Sequence, residues 1–148
     1  MEILRLKAIN FRNFENLELN FQPEGALIFG KNGLGKTNLL EAISFFAFGK
    51  SFRTGRDQEL INFSKAFFRL EAEFNYSGNT HFLEAAADKS KKILKIDKMV
   101  IGKIGDLYRH LKIVYFSPQD IEIIGGSPSF RRNFFNQAIA QFSFNHIL

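Results

Sequence analysis

The run Gly30-Lys31-Asn32-Gly33-Leu34-Gly35-Lys36-Thr37 decides the reading of this sequence. It stands between an unbroken apolar stretch, Ala26-Leu27-Ile28-Phe29, and a segment with apolar residues at helical spacing. The octapeptide satisfies G-x-x-x-x-G-K-[ST], a phosphate-binding loop that needs a strand before it and a helix after it. Each residue type has a chemical reason. Glycines let backbone N–H groups converge on phosphate oxygens, and the N-terminus of the following helix adds partial positive charge. Lys36 is the expected neutraliser of the β and γ phosphates, and Thr37 the expected hydroxyl ligand of Mg²⁺, a hard cation that prefers oxygen. The expected nucleotide-binding set is Gly30, Lys31, Asn32, Gly33, Leu34, Gly35, Lys36, Thr37 and Asn38, with ATP and Mg²⁺ as ligands. Chance produces the pattern in fewer than about one chain in a hundred of this length, given ordinary glycine usage.

Outward from the loop, Leu39, Leu40, Ile43, Phe46 and Ala47 recur as on one helix face, and Gly49 is the expected C-terminal cap. The unalternating run Ala26 to Phe29 suits a strand buried on both faces of a mostly parallel sheet. Before it, residues 3 to 9 and the alternation Leu17, Leu19, Phe21 read as two strands. After a polar, basic stretch from Lys50 to Asp57, Phe68, Leu70, Ala72, Phe74 and Tyr76 alternate up to the turn Ser77-Gly78-Asn79. Strands over 80–87 and 93–97 complete an antiparallel meander of three strands, expected beside the first sheet. Lys112 to Phe116 reads as another short strand, and a helix is expected to begin at Ser117-Pro118-Gln119-Asp120. Ser127-Pro128 is an N-cap and first-turn pair, opening a helix with Phe130, Phe134, Ala138 and Phe142 on one side. The fold class that follows is α/β, a P-loop core with an adjacent antiparallel meander.

Composition narrows the function classes. The 148 residues are 45% apolar and 24% charged, the balance of one globular domain. There is no cysteine, hence no disulfide, thiolate zinc site or thiol nucleophile, and His81, His110 and His146 lie too far apart for a His-x-x-x-His metal site. No apolar run approaches the roughly 20 residues that span a bilayer, and charged residues at Glu2, Arg5 and Lys7 do not suit a secretory peptide. A cytoplasmic protein without a membrane partner is expected. Twenty basic residues against fifteen acidic ones leave a net charge of +5, which permits a nucleic-acid partner without requiring one. Nineteen phenylalanines and no tryptophan point to core packing, since Phe has no polar handle.

The longer run GKNGLGKTNLLEAI, Gly30 to Ile43, resembles the loop and helix of RecF, SMC and related ABC-type ATPases, in which Asn precedes the second loop glycine. Gly49-Lys50-Ser51-Phe52-Arg53-Thr54 is similar to the segment that follows this helix in the RecF family. So are Phe116-Ser117-Pro118-Gln119-Asp120-Ile121, Gly126-Ser127-Pro128-Ser129-Phe130-Arg131-Arg132 and the opening Asn10-Phe11-Arg12-Asn13-Phe14. Two positions depart from the family pattern: Asn136 stands where aspartate is usual, and Gln119 where glutamate is frequent.

The resemblance implies an ABC-type ATPase head, of which residues 1–148 are the N-terminal, nucleotide-binding part. Neither a signature motif nor a Walker B carboxylate pair is present, so the family's second half is expected to lie elsewhere, and this piece to bind ATP without appreciable hydrolysis. The resemblance places Gln119 in a Q-loop near Mg²⁺ and the attacking water, and Arg12 and Asn13 against the nucleotide. It makes Lys50, Arg53 and Arg56, and then Lys89, Lys91, Lys92 and Lys95 around the hairpin, candidate DNA contacts. It also implies a duplex, gap or junction DNA partner, a second copy joined through nucleotide, and RecR, with RecO and RecA downstream, in DNA repair and recombination. Plainer readings remain beside these: Arg12 and Arg53 as solvated charges, Gln119 as a helix-start residue, and the lysines of 89–95 as ordinary surface. So do the head of another SMC-like ATPase, a docking module with structural nucleotide, and a transporter's energy-coupling subunit. Asn32 and the block from Phe116 to Arg132 count against the transporter.

Overall fold

The computed structural model describes residues 2–103, 105–107 and 111–142. Strands β1 (Glu2–Phe11), β2 (Phe14–Asn20), β3 (Phe67–Tyr76), β4 (Asn79–Asp88), β5 (Lys92–Ile96) and β6 (Met99–Val100) form one sheet in the order β2-β1-β3-β4-β5-β6. Every pairing is antiparallel. The meander lies beside the first two strands, as expected, and joins them through the β1–β3 pairing to make one layer.

Alternation sorts the strands into two faces. Leu6, Ala8, Phe68, Leu70, Ala72, Phe74, Leu83, Ala85, Leu94 and Ile96 are buried on the inner face. Helix α1 (Lys36–Phe48) packs there, against β1 and β4. Its sequence is apolar nearly all round, consistent with burial of Leu39, Ala42, Phe45, Phe46, Ala47 and Phe48. Phe68 sits at the joint, edge-on to Phe11 at 5.3 Å and to Phe45 at 5.6 Å, the geometry that ring quadrupoles prefer. Gly49 ends the helix as expected, at φ 62° with its N–H donating to the Phe45 carbonyl at 2.8 Å.

The outer face is a ladder of charge. Glu18, Lys7, Glu71, Glu84 and Lys95 stand opposite one another across β2, β1, β3, β4 and β5. Glu71 and Glu84 are directly opposed like charges, and Arg69 bridges them, at 2.7 Å to each. Arg5 likewise reaches Glu18 at 2.9 Å and Glu73 at 2.8 Å; these hydrogen bonds hold its guanidinium above its usual range, Glu73 contributing most.

Two expected strands are corrected. Ala26 to Phe29 carries no strand pairing, and Leu27 and Phe29 are 86% and 85% exposed. Residues 112–116 are likewise unpaired, with Val114 and Phe116 exposed. An apolar run makes a buried strand only where neighbours accept its backbone hydrogen bonds on both sides, and among the described residues neither run is joined to the sheet. Instead, 112–116 is tethered by Phe52 stacked on Tyr115 at 4.1 Å and by the Gln141 side chain accepting the Ile113 N–H at 2.8 Å.

Pro118–Ile121 is a single 3-10 turn leading into a short helix α2 (Glu122–Gly125), and α3 (Pro128–Phe142) follows. Ser127 caps α3 by accepting the Phe130 N–H at 3.4 Å. Phe134 and Phe142, expected on its apolar side, are exposed. Among the described residues no helix is long and apolar enough to cross a membrane. His110 and His146 lie outside the described residues.

Candidate nucleotide site

The loop from Gly30 to Gly35 delivers the chain into α1 with its donors unspent. Among the described residues, the N–H groups of Gly30 through Asn38 make no hydrogen bond. Such a row of free N–H groups at a helix start is an anion cradle. Lys36 folds back over it, its Nζ donating to the carbonyls of Gly30 at 2.7 Å and Lys31 at 2.8 Å. The positive charge is thereby held at the mouth of the loop. Thr37 is exposed on the first turn of α1, its hydroxyl without a partner among the described residues. Lys31, Asn32, Gly33 and Leu34 line the exposed loop.

Gly35 has a second reason to be glycine. It adopts φ 99°, and a Cβ there would meet Asn13 Oδ1 at 2.6 Å and Phe14 Cε1 at 2.8 Å. The β1–β2 turn thus packs directly against the second loop glycine. Asn13 Oδ1 accepts from Asn38 Nδ2 at 2.8 Å, and its Nδ2 lies 3.5 Å from the Gly33 carbonyl. Asn13, expected against the nucleotide, packs here against the phosphate loop.

Arg12 bonds to α1. Its guanidinium grips the Glu41 carboxylate with two bonds, Nε to Oε2 at 2.9 Å and Nη2 to Oε1 at 2.7 Å, and spends a third donor on the Glu59 carbonyl at 2.8 Å. Arg12 itself sits at φ 53° in the turn, and its N–H donates to the Leu60 carbonyl at 2.7 Å. These bonds clamp the turn to α1.

Glu41 was not singled out by sequence, yet it is the hub of the site. It is fully buried, and besides Arg12 it accepts from Ser51 Oγ and, at 3.4 Å, from Arg53 Nη1. Ser51 Oγ in turn accepts the N–H groups of Arg53 at 2.9 Å and Thr54 at 3.1 Å, shaping the chain after α1. Arg53 Nη1 also donates to Asn38 Oδ1 at 2.8 Å. Arg53, a candidate DNA contact, thereby joins a chain of side chains running Glu41, Arg53, Asn38, Asn13, Gly33. The available signal was a lone carboxylate amid Leu39, Leu40, Ala42 and Ile43; a charge in an apolar helix face demands a partner.

Lys50 and Arg56 are exposed and their side chains have no hydrogen-bond or salt-bridge partner among the described residues. Gln119 lies in the turn Pro118–Ile121; its side chain is outside the described residues. That turn is fixed by Asp120, whose Oδ2 accepts the N–H of Ser117 at 2.5 Å and its hydroxyl at 2.9 Å.

The AAA domain family matches residues 5–141. The chain belongs to that family. Within it, this AAA domain is 37% identical over 141 residues to the DNA replication and repair protein RecF of Clostridioides difficile (strain 630), covering 95% of this chain and 38% of that protein. A solved structure of the recombination mediator protein RecF with ATP, in the RecFOR pathway, superposes on it with a TM-score of 0.91 at 32% identity. That match covers 97% of this chain and 39% of the other. The SMC head domain from Thermotoga maritima shares the fold, with a TM-score of 0.62 at 17% identity over 76% of this chain and 43% of its own. The chain spans about two-fifths of the length of the RecF proteins it matches. The likeness to RecF read from the Gly30–Ile43, Gly49–Thr54 and Phe116–Arg132 blocks is thus supported over nearly the whole chain.

Proposed function

We propose that this AAA domain is the ATP-binding lobe of a RecF-like DNA repair and recombination protein. The observation that carries the reading is the row of unspent N–H groups from Gly30 to Asn38, with the Lys36 ammonium held at the mouth and the Thr37 hydroxyl free beside it. These donors match a polyphosphate: the amides and Lys36 bind its oxygens, while Asn13 and Asn38 hold the loop in shape. The donor set also fits Mg²⁺, which Thr37 would ligate and which, when bound, neutralises the charge of the β and γ phosphates. Gln119 belongs to the same reading as a residue near the cation.

In the whole protein this lobe would work on DNA with Lys50 and Arg56 on its basic side. A second copy would join it through nucleotide, with RecR, RecO and RecA as downstream partners. The likeness to RecF supports these assignments, and ATP-dependent dimerisation of the full-length protein tests the second copy.

For the lobe itself, calorimetric titration with ATP in the presence and absence of Mg²⁺ is the experiment. Saturable binding is expected, with a magnesium-dependent gain that Thr37→Ala removes while leaving the magnesium-free affinity in place. A Thr37→Ala variant with an unaltered magnesium gain would refute the cation role.

A further inference from the structure

The side-chain hydrogen bonds between the chain after α1 and the phosphate loop all run in one direction. Arg53 Nη1 donates to Asn38 Oδ1 at 2.8 Å, Asn38 Nδ2 donates to Asn13 Oδ1 at 2.8 Å, and Asn13 Nδ2 donates to the Gly33 carbonyl at 3.5 Å. A carboxamide offers both a donor and an acceptor, so two amides in series can be satisfied with either polarity. Here the two ends dictate it. A guanidinium only donates and a backbone carbonyl only accepts, which leaves each amide one orientation that suits both of its neighbours.

The donor end is anchored in the core. Glu41, fully buried, accepts from Arg53 Nη1 at 3.4 Å and from the Ser51 hydroxyl, and Ser51 Oγ accepts the Arg53 N–H at 2.9 Å. One buried carboxylate thus ties down both the backbone and the side chain of Arg53. The acceptor end reaches the loop. The Gly33 carbonyl and the Leu34 N–H belong to one trans peptide, in which they point in opposite directions. Holding the carbonyl at Asn13 therefore turns the Leu34 N–H away from Asn13, and that N–H is one of the unspent donors between Gly30 and Asn38. A reversed peptide would present a carbonyl oxygen among those donors, which repels an anion.

On the ATP-binding reading above, we propose that Arg53 is a positioning residue for the phosphate loop: through Asn38 and Asn13 it holds the Gly33–Leu34 peptide with its N–H toward bound phosphate. Leu34 makes the contact with the nucleotide, and Arg53 acts at two removes. Glu41 stands one step further back, fixing Arg53.

The test compares the wild-type chain with Arg53→Ala, Asn38→Ala and the double variant, with circular dichroism to check folding. The Leu34 amide resonance is followed by heteronuclear NMR without nucleotide, and ATP affinity by calorimetry. Both single variants are expected to move the Leu34 resonance in the same direction before any nucleotide is added. Each is expected to weaken ATP binding about tenfold, the order of one hydrogen bond to a charged oxygen. Asn38→Ala removes no charge and touches none of the Glu41 bonds, so it decides the question even where Arg53→Ala fails to fold. The double variant is expected to lose about tenfold too, because the two residues act along one path. A Leu34 resonance unmoved in a folded variant, or an Asn38→Ala affinity equal to wild type, would overturn the relay. Additive losses, about a hundredfold in the double variant, would overturn it in favour of direct contact between Arg53 and phosphate. A wild-type chain that binds no ATP while Leu34 still responds to both variants would overturn the ATP-binding reading and the relay's part in it; failure of the relay alone shows the reverse, intact wild-type binding with Leu34 unmoved.

Discussion

Replacing Glu41 by Gln removes the charge at the hub while keeping its volume. The carboxylate is fully buried, and Arg12, whose side chain is only 18% exposed, is gripped through both Nε and Nη2. A glutamine offers a single acceptor oxygen, and its NH₂ group faces a guanidinium donor or the Ser51 hydroxyl. Breaking a buried ion pair from one side costs about 3–5 kcal/mol because the other charge is left without a partner. Arg12 retains some access to water, and Arg53, at 3.4 Å and 44% exposed, loses little by turning outward. The cost therefore belongs at the lower bound, about 3 kcal/mol. With a urea dependence of about 2 kcal/mol per molar, the midpoint moves down by about 1.5 M. Circular dichroism is the readout, since the chain has no tryptophan. A double-mutant cycle with Arg12→Ala should show strong coupling, because the two residues share one interaction. A Glu41→Gln midpoint within 0.2 M of wild type would refute the view that this carboxylate holds the β1–β2 turn onto α1.

Gly35→Ala places a methyl group at 2.6 Å from Asn13 Oδ1 and forces φ 99° on a residue with a Cβ; a cost of about 1–2 kcal/mol and weaker nucleotide binding are expected, and unchanged binding would separate the loop from the turn. Phe68→Ala deletes the ring shared by Phe11 and Phe45 and should cost about 3–5 kcal/mol in the same urea assay; a loss below 1 kcal/mol would mean that α1 is not seated on the sheet there. The Ser90 hydroxyl, and then the N–H groups of Ser90 and Lys91, lower the Asp88 carboxyl to about 2. A folded value below the unfolded one means that this turn adds stability above about pH 4, lost as the pH falls towards 2. An NMR titration of Asp88 with a midpoint near the ordinary 3.9 would contradict the three-bond turn.

Elements whose period is local were legible in the sequence. β3 shows strict alternation from Phe68 to Phe74, and the same alternation placed Arg69, Glu71 and Glu73 on the opposite, charged face. Helix α1 was legible from Lys36 to Gly49 because both ends carry their own signals, a phosphate loop and a left-handed glycine. The runs at 26–29 and 112–116 were not, because an apolar run reports burial preference and says nothing about which neighbours will pair with it. Nor does local pattern show that β1 serves both β2 and the meander, since that pairing joins residues 60 to 73 apart. In the site, Lys36, Thr37 and Asn13 were readable from spacing and family resemblance. Glu41 announced a partner without naming it: Arg12 comes 29 residues earlier, and only the fold shows that it turns to Glu41 while Asn13, its neighbour, turns to the loop.

The measurement closest to the central claim is titration of the chain with a fluorescent ATP analogue and Mg²⁺, wild type against Lys36→Ala, with circular dichroism confirming that both are folded. Among the described residues the Lys36 ammonium bonds only to the carbonyls of Gly30 and Lys31, so its removal should leave the fold in place. Saturable binding by the wild type and none by the folded variant is the expected result. Equal binding by both would contradict the assignment of the Gly30–Thr37 loop as the phosphate site.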